Sequence, residues 1–428
     1  MKKVRIAILG LGNVGSGVWK ILDKNREEIS IRSGYEIEVA KILVRNKNKA
    51  RNVDVPEEII TTDFNDILED DSIRIVVELM GGVEPAKDYI LKAISRKKHV
   101  VTANKFLLAT QGKEILEAAK REGVMLYFEA SVAGGIPIIN AISESLTANK
   151  IVEILGIING TTNFILTRMS HEGMEFDEAL KLAQELGFAE ADPTSDIEGY
   201  DAMYKLAILS DLSFNSIVHV DSIYREGITG ITAVDIQYAK EFGYTIKLLA
   251  IAKEKNGELE LRVHPAMIPS KHPLANVNDA FNAIFIKGNA VGDLMLYGKG
   301  AGDLPTGSAV VGDIISVLRN GIDDYTAPAK KEANCQFKVQ SMDDTVCKYY
   351  LRFAVLDNPG TLADISSIFG KNGVSLASVI QKGKNEKEVP LVFITHETLE
   401  RNINEAIKEI KELPSVIKVE NIIRVENI

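Results

Sequence analysis

The chain has 428 residues, 46% of them hydrophobic, and a formal net charge of −10 at pH 7. This length predicts two or three domains, and the negative charge argues against nucleic acid or an anionic membrane as a partner. The two cysteines, Cys335 and Cys347, show neither the spacing of a zinc site nor a disulfide framework. No apolar run approaches the roughly 18 residues that cross a membrane, and strand-like sequence from Val4 onwards leaves no room for a signal peptide. We therefore expect a soluble, cytoplasmic protein.

The first predicted element is a buried parallel strand over residues 4–9, a short and largely apolar run. A segment of the form GxGxxG follows at once, and a helical pattern begins directly after it. Its residues are Gly10, Leu11, Gly12, Asn13, Val14 and Gly15. A lone GxGxxG is a weak signal, but a strand before it and a helix after it predict a dinucleotide-binding turn, in which the backbone approaches a pyrophosphate. A glycine-rich turn without a ligand is the alternative.

The end of the second predicted strand bears on the choice of cofactor. This strand covers residues 36–44 and ends in a basic cluster that begins at Arg45. A site specific for NAD usually has an acidic residue here, which holds the ribose hydroxyls. The basic cluster favours NADP, with Arg45 as the contact to the 2′-phosphate, and a solvated basic loop is the alternative.

Further strands are predicted at residues 73–79, 99–102 and 125–129, and alternation with helices indicates a doubly wound parallel sheet. Loops beyond the carboxyl ends of such strands line the ligand crevice. Lys105 follows the strand at 99–102 and is therefore placed near the cofactor. A surface lysine is the alternative.

An acidic segment in the middle of the chain points to a site for a charged substrate. Residues 187–193 lead into a helical pattern that contains Asp201 and Lys205 one turn apart, on one face. We expect the surrounding carboxylates to converge on Lys205 in a cleft, since the helix is largely apolar around the pair. A lysine in this setting can donate a proton or bind a charged group. An ordinary surface ion pair of little energetic value is the alternative.

Two other segments of the middle region carry features of a ligand site. A strand at residues 154–158 is followed by a polar turn, residues 159–163, that enters a helix. Later, residues 298–306 are dense in glycine and open a helix of small residues over 308–318. Glycines this dense before a helix N-terminus suggest close approach to a ligand, and Gly302 is one of them; a simple loop is the alternative.

The C-terminal part predicts a separate module. A polar connection over residues 319–347 is followed by the order strand, helix, strand, strand, helix, strand. Their predicted bounds are 349–356, 361–370, 374–382, 388–396, 399–413 and 416–425. The turn after the first strand is Asp357-Asn358-Pro359-Gly360. This βαββαβ module resembles an ACT domain, and a ferredoxin-like packing or dimerisation module without a ligand is the alternative.

Taken together, the motifs over roughly residues 1–330 resemble those of homoserine dehydrogenase, in that family's order. The motifs are the GxGxxG segment, 101–105 (VTANK), 129–137 (EASVAGGIP), 159–163 (NGTTN), 186–193 (LGFAEADP) with Asp201 and Lys205, and 300–302 (GAG) with Pro305 and Thr306. The resemblance implies NAD(P)-dependent interconversion of aspartate 4-semialdehyde and homoserine, on the route to threonine, methionine and isoleucine.

The resemblance also implies roles for single residues. Lys205 looks like the general acid that protonates the developing alkoxide, and Lys105 like the lysine beside the nicotinamide and the substrate. Glu190 and Asp201 look like the groups that hold the substrate ammonium. Gly187 joins Gly302 and the GxGxxG segment as an expected cofactor contact. An ammonium beside an aldehyde oxygen stabilises its negative charge and supplies the proton, so these roles are chemically reasonable.

Two further ligands follow from the resemblance. A monovalent cation, sodium in this family, would be held by Glu129 and by the carbonyl groups of Val132, Gly134 and Ile136, oxygen ligands that suit a hard cation. In the C-terminal module, Asn358 and Gly360 would lie at a threonine-binding turn between paired copies. The expected partners are thus the substrate pair, threonine as effector and further copies of the chain in a dimer or tetramer.

The predicted fold is α/β: a Rossmann-type nucleotide-binding domain over 1–130 with about 305–325, an α+β substrate and dimerisation domain over 131–304, a linker over 326–347 and a ferredoxin-like ACT domain over 348–428. One competing interpretation is another amino-acid-pathway dehydrogenase, such as a phosphoglycerate dehydrogenase. That class uses a histidine–carboxylate pair, for which His171 and His219 have no comparable setting. A non-catalytic nucleotide and amino-acid sensor is the other, and it has no need for Glu190, Asp201 and Lys205 together.

Overall fold

The computed structural model describes residues 2–322, 337–382 and 388–428. Cys335 and residues 326–336 of the predicted linker lie outside the described residues. The chain divides into two compact units by its internal contacts. Unit 1 consists of Met1–Ile151, Tyr204–Asp221 and Asn282–Gln336, and unit 2 consists of Val152–Met203, Ser222–Phe281 and Phe337–Ile428. The predicted domain boundaries stay a prediction.

In chain order the strands are β1 (Lys2–Leu9), β2 (Tyr35–Leu43), β3 (Ile60–Thr61), β4 (Ile73–Glu78), β5 (His99–Thr102), β6 (Leu126–Tyr127), β7 (Ile151–Ile157), β8 (Tyr224–Arg225), β9 (Tyr244–Lys255), β10 (Glu258–Pro269), β11 (Phe281–Gly288), β12 (Gly292–Lys299), β13 (Lys338–Val339), β14 (Val346–Leu356), β15 (Leu376–Gln381), β16 (Glu388–Thr395), β17 (Thr398–Leu399) and β18 (Val416–Val425). The helices are α1 (Asn13–Lys24), α2 (Arg26–Ser33), α3 (Asn65–Leu68), α4 (Ala86–Ser95), α5 (Lys105–Glu122), α6 (Ile138–Asn140), α7 (Gly160–Glu172), α8 (Phe176–Glu185), α9 (Thr194–Ile197), α10 (Tyr200–Phe214), α11 (Ala233–Glu241), α12 (Asp303–Arg319), α13 (Thr361–Lys371) and α14 (Glu400–Lys411).

Unit 1 is built on a parallel sheet with the strand order β3-β2-β1-β4-β5-β6. Its central strands are apolar on both faces because each face is covered by a separate hydrophobic core. The chain order reverses between β1 and β4, and in such sheets ligands bind beyond the carboxyl ends of the strands at this point. The predicted Rossmann-type sheet is confirmed.

Helix α12 packs on the same sheet, although it lies far from β1 in the sequence. Val310, Ile314 and Val317 belong to one core with the side chains of β1. Its approach to α1 is close: a Cβ on Gly17 would lie 2.0 Å from the carbonyl oxygen of Asp303. A side chain at position 17 would therefore force the two helices apart.

Unit 2 contains a mixed sheet in the order β7-β9-β10-β18-β14-β16-β15. The strands pair antiparallel except for β10 and β18, which are parallel. β8 also pairs with β10 in parallel. The last strand of the chain is thus hydrogen-bonded to β10, a strand of the middle region.

The C-terminal module has the predicted βαββαβ order, with β14, α13, β15, β16, α14 and β18, and the short β17 in addition. Its core includes Phe353, Phe369 and Phe393, whose ring centroids lie 5.4–6.3 Å apart. Tilted and edge-to-face rings at these separations are favourable beyond the area they bury.

Several elements differ from the sequence-based expectation. The strand predicted at 125–129 is shorter, since the chain enters a helical turn at Glu129–Ser131. Helix α12 begins at Asp303, before the predicted residue 308, because Pro305 is tolerated in a first helical turn. β9 and β12 were not predicted. Among the described residues no helix is both long and apolar enough to span a bilayer.

Candidate active site

The GxGxxG segment forms a tight turn between β1 and α1. Gly10 has a φ of 102°, and a Cβ there would lie 2.8 Å from the carbonyl oxygen of Leu79. A Cβ on Gly15 would lie 2.2 Å from the carbonyl oxygen of Gly10. By contrast, no atom of the described residues lies within 4 Å of a Cβ on Gly12, which caps α1. The turn therefore leaves open space at the helix N-terminus, where a pyrophosphate binds in this fold.

The loop after β4, at the same edge of the sheet, is fixed by Glu78. This fully buried carboxylate accepts hydrogen bonds from the backbone N–H of Met80 (2.8 Å) and Gly81 (3.2 Å) and from the hydroxyl of Thr102 (2.7 Å). Burial raises the pKa of Glu78, and these hydrogen bonds oppose the rise. Sequence reasoning missed this residue, although a carboxylate that ends an apolar strand is a usable signal.

Lys105 is the first residue of α5, directly beyond the carboxyl end of β5. The preceding Asn104 caps this helix: its side-chain oxygen accepts from the N–H of Leu107 (3.1 Å). The amide of Asn104 also donates to the carbonyl of Gly82 at 2.6 Å. Lys105, which is partly exposed, is thus attached to the loop braced by Glu78.

Lys205 lies on α10, in the turn next to α5. The rings of Phe106 and Tyr204 meet edge to face, with centroids 5.0 Å apart, so the residues beside the two lysines are in contact. Within unit 1, the structure therefore brings the first turn of α5 to the helical turn that carries Lys205. Lys205 is 8% exposed and Asp201, one turn earlier on the same helix, is 3% exposed.

In unit 2, Asn159 joins two carboxylates. Its side-chain oxygen caps α7 by accepting from the N–H of Thr162 at 2.8 Å. Its amide nitrogen donates to Asp196 at 2.7 Å and to Asp201 at 2.8 Å. We call Asn159, Asp196 and Asp201 the Asn159 cluster. Asn159 is 4% exposed, so these charge-assisted bonds hold the carboxylate of Asp201 in one orientation.

The other acidic residues of this region have different surroundings. Asp192 accepts from the N–H and hydroxyl of Thr194, and the carboxylate of Glu198 lies 3.9 Å from the guanidinium of Arg225. Glu190 is exposed, and its backbone carbonyl accepts from Gln184. The acidic segment is thus divided, with Asp196 and Asp201 sharing one partner.

The two remaining glycines expected at the cofactor lie at helix ends. Gly187 follows α8 with a φ of 76°, and Gly302 caps α12 with a φ of 123°. Both are left-handed or nearly so, a backbone conformation that side chains disfavour.

Arg45 is exposed just beyond the end of β2. The loop that follows has a defined shape, because the guanidinium of Arg51 donates to the carbonyls of Asn46 (2.5 Å), Lys47 (2.9 Å) and Lys49 (2.8 Å). The basic cluster is therefore held at the end of β2.

The residues expected to hold a cation form a tight turn. Ala133 and Gly134 have φ values of 53° and 49°, and a Cβ on Gly134 would lie 2.5 Å from the carbonyl oxygen of Gly300. The buried carboxylate of Glu129 accepts from the N–H of Ile139 (2.8 Å) and of Asn140 (2.7 Å). Burial raises the pKa of Glu129.

A second buried carboxyl group, Asp313, lies beside this turn and was not predicted. It accepts from the backbone N–H of Glu129 at 2.8 Å. Burial, with the charge of Glu129 adding to it, raises the pKa of Asp313 to about 8. Two buried carboxyl groups in one place favour either protonation or a bound cation.

A cavity of about 620 Å³ lies between α5 and the end of α10. Its lining is largely apolar and includes Leu108, Leu116, Ile208 and Asp211, but neither of the two lysines. Asp211 accepts from the N–H of Val218 at 2.7 Å, and burial raises its pKa to about 7.

The C-terminal module presents the turn expected to bind an amino acid. Asn358 and Gly360 are exposed, and Gly360 has a φ of 101°. The carbonyl of Asn358 accepts from the N–H of Thr361 at 3.2 Å, where α13 begins. The turn is thus preformed in the chain.

A Rossmann-type sheet with an open glycine turn between β1 and α1 is typical of nicotinamide-dependent oxidoreductases, to which this chain adds a C-terminal βαββαβ module. Comparison with protein families agrees. Residues 10–129 match the model for the NAD-binding domain of homoserine dehydrogenase, residues 137–315 match the homoserine dehydrogenase model, and residues 349–415 match the ACT domain.

Individual relatives give the same result. A homoserine dehydrogenase of Bacillus subtilis (strain 168) is 42% identical over 429 residues, covering 100% of this chain and 99% of the relative. The crystal structure of a homoserine dehydrogenase from Thiobacillus denitrificans is 46% identical, with a TM-score of 0.92, and covers 100% of this chain and 99% of that chain. A hyperthermophilic archaeal homoserine dehydrogenase in complex with NADPH is 29% identical, with a TM-score of 0.63, over 73% of this chain and 97% of that chain.

The chain belongs to the homoserine dehydrogenase family and carries a C-terminal ACT domain. It is an oxidoreductase of that family, and its nucleotide-binding domain is of the kind that takes a nicotinamide cofactor.

Proposed function

We propose that the protein interconverts aspartate 4-semialdehyde and homoserine with NADP, in the synthesis of threonine, methionine and isoleucine. The observation that carries this proposal is the arrangement on α10, where Asp201 is oriented by Asn159 and Lys205 follows one turn later. Such a pair suits a substrate with an ammonium group at one end and a reacting oxygen at the other.

Lys205 is the general acid. When bound, the nicotinamide supplies the hydride that converts the aldehyde to the alcohol. The negative charge that then develops on the oxygen requires a nearby cation and a proton, and a buried ammonium supplies both. In the reverse direction, Lys205 removes the proton from the hydroxyl of homoserine.

Asp201 binds the substrate ammonium, and Glu190 closes the ammonium site from the exposed loop. The two hydrogen bonds donated by Asn159 stabilise the ionised, acceptor-only form of the carboxylates in the Asn159 cluster. Asp201 therefore presents a fixed negative charge before the substrate arrives, which lowers the cost of orienting it.

Lys105 lies beside the nicotinamide and the substrate. Its support comes from its position beyond β5 and from the contact between Phe106 and Tyr204. A second cation in this place stabilises the negative charges of the substrate's own carboxylate and of the developing alkoxide.

The cofactor binds along the carboxyl edge of the parallel sheet, at Gly10 to Gly15 and near Gly187 and Gly302. Arg45 contacts the 2′-phosphate, since a guanidinium forms bidentate bonds with phosphate. Two observations support this choice of NADP: the basic loop after β2 has a shape fixed by hydrogen bonds from Arg51, and the archaeal relative was solved in complex with NADPH.

The turn at residues 132–136 binds a monovalent cation, which we propose to be sodium. The residues present fit such an ion: Glu129 is a buried carboxylate, and its two oxygens accept from the backbone N–H groups of Ile139 and Asn140. The carbonyls of Val132, Gly134 and Ile136 would complete an all-oxygen set, and the ion would offset the buried charges of Glu129 and Asp313.

Threonine binds to the ACT domain and lowers activity. The ligand site includes the turn with Asn358 and Gly360, and a second copy of the domain completes it. The enzyme therefore works as a dimer or tetramer. Coupling between the two sites of typically 1–3 kcal/mol is sufficient for feedback control.

The test is substrate discrimination. The purified protein, with NADP, should oxidise homoserine and should act on 4-hydroxybutyrate, which keeps the carboxylate but lacks the ammonium, at least a hundredfold less efficiently. Asp201→Asn should lose most of its efficiency with homoserine and little with 4-hydroxybutyrate. Equal efficiency with both alcohols in the wild type would refute the proposed ammonium site.

A further inference from the structure

Residues 224–228, here called the bridging segment, lie between the ACT domain and the residues that precede Asp201. The segment is anchored to β10, because Tyr224 pairs with Arg262 and Arg225 with Val263, and the N–H of Glu226 donates to the carbonyl of Val263 at 2.8 Å. Successive side chains of an extended segment point to opposite faces. Tyr224 and Glu226 therefore share one face, and Arg225 lies on the other.

The face with Tyr224 and Glu226 contacts the ACT domain through Arg424 of β18. The guanidinium of Arg424 donates to Glu226 at 2.7 Å and to the hydroxyl of Tyr224 at 2.9 Å. It also forms two bonds, of 2.6 and 3.0 Å, with Glu400 of α14. Arg424 is 4% exposed, so it is a buried cation whose charge is divided between a carboxylate of the ACT domain and one of the bridging segment.

The opposite face contacts the start of α10. The guanidinium of Arg225 lies over the ring of Tyr200, 3.6 Å from its centroid, and donates to the backbone carbonyl of Glu198. Tyr200 is the first residue of α10 and directly precedes Asp201. Arg225, stacked and hydrogen-bonded, therefore fixes the end of α10 that carries Asp201, the carboxylate proposed to bind the substrate ammonium.

There is little room for the bridging segment to move alone. The N–H of Ile228 donates to the carbonyl of Ile197 at 2.8 Å, and a Cβ on Gly227 would lie 2.4 Å from that same oxygen. A displacement of the segment must therefore shift residues 197–200 with it.

The ACT domain is attached to β10 by more than a linker. β18 pairs with β10 through Ala266 and Met267, and Arg262 of β10 forms a buried ion pair with Glu426. Burial opposes ionisation of Glu426, but the charges of Arg262 and Lys253 outweigh it and lower its pKa. The ACT domain, β10 and the bridging segment are thus joined by packed, charged contacts.

We infer that Arg225 is a positioning residue for Asp201, and that the contact between Arg424 and Glu226 is where the ACT domain acts on the substrate site. The inference rests on the proposed function, since it names the connection between the proposed effector site and the proposed ammonium site. Because Asp201 holds the substrate and not the reacting oxygen, an effector acting by this route raises KM for homoserine and leaves kcat little changed.

The first experiment uses Glu226→Gln in the full-length protein. The side chain of Glu226 is 39% exposed and glutamine keeps its shape, while Arg424 keeps Glu400 as a partner, so the variant should fold. Glu241→Gln is the matched control, because it removes another ion pair between the ACT domain and the middle region, that of Lys382 and Glu241 at 2.7 Å, which does not involve the bridging segment. Threonine binding is measured by calorimetry and inhibition by initial rates.

We expect the dissociation constant of Glu226→Gln for threonine to lie within twofold of the wild-type value. The same rise in KM for homoserine should nevertheless need at least fivefold more threonine. Glu241→Gln should behave as the wild type. Inhibition of Glu226→Gln at wild-type concentrations, or an equal loss in Glu241→Gln, would overturn the assigned connection.

Arg225→Lys tests positioning without an effector. The lysine keeps the charge but loses the planar stacking on Tyr200, so KM for homoserine should rise at least threefold, with kcat and KM for NADP unchanged. An unchanged KM for homoserine would overturn the role of Arg225. If the wild type binds no threonine, the proposed effector is wrong, and the Arg225→Lys result still decides whether the residue positions Asp201.

Discussion

Replacing Asn159 separates its two contacts, the cap on α7 and the hydrogen bond that orients the carboxylate of Asp201, the proposed ammonium site. Asn159→Ser keeps a side-chain oxygen that can cap α7 but removes the amide that donates to Asp196 and Asp201. Asn159→Ala removes both. Serine and asparagine are similarly effective caps, whereas alanine costs about 1 kcal/mol at such a position.

The expected loss of activity follows from the bond to Asp201. A hydrogen bond to a charged group contributes about 1.5–3 kcal/mol, which corresponds to roughly a 10- to 150-fold loss of kcat/KM for homoserine. Because the proposed role of Asp201 is to hold the substrate ammonium, most of this loss should be a rise in KM. Both variants should show the same kinetic loss, while Asn159→Ala should be less stable than Asn159→Ser by about 1 kcal/mol.

The assays are initial rates with varied homoserine and urea unfolding of the same preparations. Wild-type kinetics in Asn159→Ser, with a loss in Asn159→Ala that parallels its instability, would show that Asn159 is only a helix cap and would refute the reasoning.

Three other predictions concern the cofactor, pH and the attachment of the ACT domain. Arg45→Asp should raise KM for NADP much more than that for NAD, and an unchanged ratio of kcat/KM values would make the basic cluster a solvated loop. Burial raises the pKa of Asp211 from 3.8 to about 7, so the folded state favours its protonated form. The unfolding free energy should therefore decrease, by at most about 4 kcal/mol, as the pH rises from about 4 to about 7. Asp211→Asn should flatten this dependence in urea titrations, and an equally steep profile in the variant would assign it to other groups. Glu426→Gln should lower the unfolding free energy by about 3–5 kcal/mol, since it leaves Arg262 buried without its full counter-charge. Lys382→Gln, at an exposed ion pair, should lower it by less than about 1 kcal/mol. Equal losses in the two variants would contradict this account.

The fold was largely predictable because its signals are local. The parallel sheet follows from short apolar runs alternating with helical patterns, and the last strand was predicted at 416–425 and occupies Val416–Val425. The glycine turn was predictable for the same reason, since strand, GxGxxG and helix adjoin in the sequence. β12 was missed because its side chains are mostly exposed or half-exposed and leave no buried face to read.

The residue types of the proposed site can be read from the sequence, but the connections between them cannot. An asparagine at a helix start reads as a cap whether or not its amide also reaches two carboxylates, so the Asn159 cluster left no signal of its own. Glu226 and Arg424 are separated by 198 positions, and an ion pair at that distance along the chain follows no periodicity. Glu78 and Asp313 were missed because their importance comes from burial, and burial is decided by strands and helices that are distant in the sequence.

The turnover of Lys205→Met tests the central claim most directly. Methionine replaces the buried ammonium with an apolar side chain of similar length, so the protein should fold and bind NADP as the wild type does. If Lys205 moves the proton to and from the substrate oxygen, kcat for homoserine oxidation should fall by about a thousandfold, equivalent to about 4 kcal/mol of transition-state stabilisation. Near-normal turnover in a folded variant that binds NADP would remove Lys205 from the mechanism.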